Sequence, residues 1–72
     1  MSVETSVCVA VNGEQRSVPA GVTIAEMLGL LGLDPRKVAV ERNREIVPRS
    51  LVGEVEVADG DAFEIVHFVG GG

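Results

Sequence analysis

Few side chains in this 72-residue sequence have the type and spacing to do chemistry. The single histidine, His67, and the single cysteine, Cys8, stand 59 positions apart and make no recognisable zinc-ligand pattern. A Ser-His-Asp or Cys-His-Asn triad would need His67 as its base, and no surrounding motif supports that role. His67 reads as a packing or strand-surface residue, and Cys8, opposite a valine face, reads as structural. One group remains. The apolar run Phe63-Glu64-Ile65-Val66-His67-Phe68-Val69 passes directly into Gly70-Gly71-Gly72, where the sequence ends. Three extended residues can carry a carboxylate on the order of 10 Å beyond the last anchored position. Glycine, without a Cβ, takes backbone conformations closed to other residues and passes through narrow clefts. Such a tail is what an enzyme needs if it is to thread a protein C-terminus into its active site.

A rigid body must hold that tail, and the patterning describes one. Val3, Thr5, Val7, Val9 and Val11 alternate with Glu4, Ser6, Cys8 and Ala10, the period-two signature of a strand with one apolar face. Asn12-Gly13 suits a type I′ hairpin turn, in which both central residues have positive φ. Glu14 to Val18 returns as a more polar strand near an edge, ended by Pro19-Ala20-Gly21. Thr23-Ile24-Ala25-Glu26 matches a capping box, and Ile24, Met27, Leu28 and Leu31 form one buried helical stripe. Asp34-Pro35 prevents continuation. A third strand spans Val38 to Glu41, a polar turn covers Arg42 to Glu45, and Ile46-Val47 is a short strand stopped by Pro48. Ser50 to Gly53 reads as a turn or a single helical turn, Ala58-Asp59-Gly60-Asp61 as a tight turn, and Ala62 to Val69 as the last, central strand. The order predicts a two-layer α+β domain over residues 1–69, a mixed sheet of four to five strands on one main helix, with 70–72 as a flexible tail.

Composition narrows the function classes. At 46% hydrophobic and 24% charged, the chain has a globular balance. Two phenylalanines, no Trp or Tyr and a net charge of −5 argue against nucleic-acid binding. No apolar run approaches the ~20 residues of a membrane span, and no signal peptide is visible, so the expected compartment is the cytoplasm. One cysteine cannot close an intrachain disulfide. No bound cofactor, metal, nucleic acid or membrane is expected, and an independent enzyme does not fit so small a chain.

The charge is segregated. Residues 50–72 hold Glu54, Glu56, Asp59, Asp61 and Glu64 and no base, so the whole −5 sits there. This is either a solvated acidic surface or a device that steers the tail toward basic partners. Asp59, Asp61, Glu64, Val66 and Phe68 are the candidate docking residues. Val66 and Phe68 share Glu64's side of the last strand, and either form an exposed patch beside the tail or lie under a loop. Arg36, Lys37, Arg42, Arg44 and Arg49, interrupted by acids, read as a solvated loop face.

These segments together resemble the ThiS family, ubiquitin-like β-grasp sulfur carriers of thiazole formation in thiamine biosynthesis. The resemblance runs through Val9-Ala10-Val11-Asn12-Gly13, Thr23-Ile24 to Leu28, and Val38-Ala39-Val40-Glu41-Arg42-Asn43. It continues through Ile46-Val47-Pro48-Arg49 and Asp59-Gly60-Asp61 to Gly72. It implies that the chain is a substrate rather than a catalyst. An ATP-dependent, ThiF-like adenylating partner would attach AMP to the Gly72 carboxylate. Persulfide sulfur from a donor such as a cysteine desulfurase would displace AMP, leaving a Gly72 thiocarboxylate for a ThiG-like thiazole synthase. Gly71 and Gly72 fall on the family's terminal pair, and Gly70 extends it. Two neighbouring readings share the fold: a small subunit of molybdopterin synthase, whose family lacks the Ile-Val-Pro-Arg pattern, and a ubiquitin-like modifier or adaptor.

Overall fold

The computed structural model describes residues 5–68; Val3, Glu4 and the Val69–Gly72 segment fall outside the described residues. Five strands form one mixed sheet: β1 (Ser6–Val11), β2 (Glu14–Pro19), β3 (Val38–Arg42), β4 (Glu45–Ile46) and β5 (Ala62–His67), in the order β2-β1-β5-β3-β4. β5 lies at the centre, parallel to β1 and antiparallel to β3, and the two hairpins β1–β2 and β3–β4 flank it. One helix, α1 (Ile24–Leu30), crosses between the hairpins and covers a single face. The last described strand therefore has a hydrogen-bonded neighbour on each side.

The core follows from the alternation. Val9, Val11, Val18, Val38, Val40, Phe63 and Ile65 project to one side of the sheet and bury Ile24, Met27 and Leu28 of the helix. Leu31, the end of the predicted stripe, caps the helix and is only half-buried. Fully burying side chains of this size is worth about 1.5–3 kcal/mol each. Val52 and Val57 complete the core from the long connection before β5, where no periodicity announced them.

The helix begins as its sequence requires. Glu26 N donates to Thr23 Oγ1 at 3.1 Å, and Thr23 N donates to Glu26 Oε1 at 2.9 Å, a reciprocal capping box. The remaining first-turn amides are taken from outside: Ile24 N donates to the Val55 carbonyl and Ala25 N to that of Val52. These bonds lock the β4–β5 connection onto the helix.

Several boundaries shift. Pro19 occupies the last position of β2, opposite Ser6, because an edge strand needs no donor on its open side. β4 is Glu45–Ile46 rather than Ile46-Val47. Its turn, Asn43-Arg44, has φ of 52° and 72°, placing an arginine where glycine is usual. The expected helical turn is a 3₁₀ turn at Arg49–Leu51, starting one residue before Ser50, and another 3₁₀ turn spans Pro35–Lys37. No described helix is long and apolar enough to cross a membrane.

Candidate functional site

The root of the tail is the C-terminal end of β5. Ladder pairing with β3 runs from Arg42↔Phe63 to Val38↔His67, and Phe68 N then donates to the Lys37 carbonyl at 3.0 Å. On the other side β1 contributes Ala10↔Ala62 and Val11↔Phe63 before the strands diverge. There Asn12 substitutes for backbone: its amide nitrogen donates to the Ile65 carbonyl at 3.1 Å, and its side-chain oxygen accepts from Ile65 N at 2.8 Å. A residue singled out for its turn thus also extends the central ladder toward the tail.

The uncovered face of the sheet carries the docking candidates. Val66 is 63% exposed and Ile46 75% exposed. With Ala39, Val40, Glu41 and Glu64 they line a shallow groove of about 240 Å³. Phe68 is 54% exposed, so the alternative in which a loop buries Val66 and Phe68 is excluded. Glu64 lies on the same face and supplies negative charge beside the apolar groove. Ile46 joins the docking candidates by its place in this groove; its short segment read only as a strand.

Asp61 requires correction as a docking residue. It is only 6% exposed. Its Oδ2 accepts from Arg42 Nε at 2.9 Å and Ala58 N at 2.8 Å, while Oδ1 accepts from Asn43 Nδ2 at 3.1 Å. A carboxylate surrounded by its own donors has no face to offer a partner. Burial opposes its charge, but the Ala58 amide, Arg42 and Asn43 outweigh that and hold the carboxyl below its ordinary value. Asp59 stays exposed, yet its Oδ1 accepts from Cys8 N at 2.8 Å. Both aspartates sit at the start of β5, some ~15 Å or more from Val66 at the strand's rise per residue. The structure therefore does not join them to the Val66 face.

The remaining candidates resolve simply. His67 is exposed at the strand end, and exposed Cys8 donates from Sγ to Gln15 Oε1 at 2.9 Å. Among the described residues Arg49 makes no ion pair; its guanidinium carbon lies 5.4 Å from the Phe68 ring centroid. Among the described residues, no three His, Cys, Asp or Glu side chains cluster as a metal site. Gly70, Gly71 and Gly72 lie outside the described residues.

A five-stranded mixed sheet on one helix, with a central last strand leading into glycine, defines the ubiquitin-like β-grasp class. Within that class the chain belongs to the ThiS family, whose model matches residues 8–72. Sulfur carrier protein ThiS of Bacillus subtilis is 50% identical over 50 residues, covering 69% of this chain and 76% of that protein. The crystal structure of a thiamine biosynthesis protein (ThiS) from Geobacter metallireducens superposes with a TM-score of 0.76 at 33% identity, over 92% of this chain and all of that one. A thiazole synthase of Paramagnetospirillum magneticum is 58% identical over 62 residues, which is 86% of this chain but only 19% of that relative.

Proposed function

We propose that this chain is a cytoplasmic sulfur carrier of thiazole formation in thiamine biosynthesis, itself a substrate of partner enzymes. The observation that carries the reading is the family match extending through Gly72, joined to half-identity with a sulfur carrier. The match to a segment of thiazole synthases favours a thiazole synthase as the sulfur acceptor.

A carboxylate is a poor acyl donor because oxide is its leaving group. In the proposed sequence a Gly72 carboxylate oxygen attacks the α-phosphorus of ATP in a ThiF-like partner, releasing pyrophosphate. The terminal sulfur of a persulfide, supplied by a donor such as a cysteine desulfurase, attacks the acyl-adenylate and expels AMP. A thiol then cleaves the acyl persulfide, forming a disulfide and freeing the Gly72 thiocarboxylate. Gly70 and Gly71 thread the partners' active sites. Val66, Phe68 and Glu64, with Ile46, form the docking face, and Asp59 is not part of it. The chain needs no base or nucleophile of its own.

Incubation with the adenylating enzyme, ATP and a persulfide donor should raise the intact mass by the oxygen-to-sulfur difference. A variant lacking Gly72 should gain nothing. Equal gain in both would overturn the assignment.

A further inference from the structure

Three chain segments meet where β5 ends. Phe68 N donates to the Lys37 carbonyl, and Arg49 Nη1 donates to the adjacent Arg36 carbonyl, both at 3.0 Å. The same guanidinium lies over the Phe68 ring. Arg49 thus ties the junction of the first 3₁₀ turn and β3 to the last described residue before the tail. Pro48, whose ring fixes φ, sets where Arg49 starts its own 3₁₀ turn, and Leu51 N closes that turn on the Pro48 carbonyl. A planar guanidinium can stack and donate sideways at once; a lysine ammonium cannot.

We propose that Arg49 is a positioning residue: with Phe68 it forms a clasp that fixes the point and direction in which the chain leaves β5 for Gly72. This rests on the sulfur-carrier reading, since it supposes a tail delivered to a partner's active site. Delivery depends on geometry, and a misplacement of about 1 Å can cost as much as 10²-fold in rate. Arg49 is not among the residues lining the Val66–Ile46 groove, whereas Phe68 belongs to the docking face, so losing the guanidinium alone should slow chemistry without weakening docking.

The test compares wild type with Arg49→Ala, Arg49→Lys, Phe68→Leu and the Arg49→Ala/Phe68→Leu double variant. Without any partner, amide hydrogen exchange at Phe68 should quicken roughly 3–10-fold in both single alanine and leucine variants. With a ubiquitin-activating-type adenylating enzyme and ATP, read by pyrophosphate exchange, Arg49→Ala should lower kcat roughly 5–50-fold while KM for the carrier stays within about twofold. Arg49→Lys should not restore it; Phe68→Leu, which also alters the docking face, is read by hydrogen exchange, where the double variant should exchange no faster than the worse single one. A raised KM with unchanged kcat would make Arg49 a docking contact and overturn the proposal, as would full rescue by lysine. If wild type is not adenylated at all, the carrier reading fails. The clasp is then decided by exchange at Phe68, unchanged protection in both variants overturning it.

Discussion

Three donors hold Asp61 ionised against its burial, and that makes a single carboxylate the tie between β3, the turn after it and the turn before β5. Besides the side-chain bonds, its own carbonyl accepts from Ala10 N at 2.9 Å and its amide donates to the Ala58 carbonyl at 3.0 Å. A chain of this size has about 4–11 kcal/mol of stability. Asp61→Asn leaves one acceptor oxygen for donors that two now serve, and should cost about 2–4 kcal/mol at neutral pH. The sign of the pH effect follows from the depressed carboxyl. Its contribution is complete above the ordinary value of 3.8 and is lost as pH falls through the lower, folded-state value. Denaturant titrations should show the gap between wild type and Asp61→Asn closing below that pH; a constant gap would contradict the account. Nothing local in the sequence announced this role. Arg42 and Asn43 lie 19 and 18 positions away, and only strand order brings them to Asp61.

At the scale of elements the sequence was far more informative, because each local signal has a local cause. Alternation marked β1, Asn12-Gly13 marked its hairpin, and the capping box placed the start of α1 to within a residue. The helix is only 7 residues long, too short to persist without packing and capping. Thr23→Ala should therefore cost about 1 kcal/mol and lower the melting temperature by roughly 4–8 °C. A calorimetric scan in which the variant melts with wild type would refute this. What failed to show were features without period or turn residues. Val52 reaches the core from an irregular connection, and Arg44 adopts a positive φ that its side chain disfavours by about 1–2 kcal/mol. Strand neighbours were equally silent: the parallel β1–β5 pairing joins segments some fifty positions apart, and only its burial on the finished core selects it.

Across the whole molecule, the sheet separates two jobs. One face is consumed by the helix, leaving Val66, Ile46 and Ala39 to form an apolar groove beside Glu41 and Glu64 on the other. Phe68, the last described residue, follows directly on the central strand, so a partner that grips the groove would hold the molecule close to the root of the tail. Monomers rarely leave large apolar side chains grouped this way without a use for them. Val66→Thr isolates the idea, since threonine keeps the β-branched shape and strand preference while placing a hydroxyl in the contact. Stability should move by no more than about 0.5 kcal/mol, because the site is exposed in the free chain. Burying an unpaired hydroxyl against the partner should cost about 1–3 kcal/mol, raising KM for adenylation roughly 5–100-fold with kcat nearly unchanged. That is the reverse of the signature expected at Arg49, where kcat falls and KM holds. If Val66→Thr were adenylated with the wild-type KM, the groove would not be the docking face, and the acidic rim with it would lose its claim to steer the encounter.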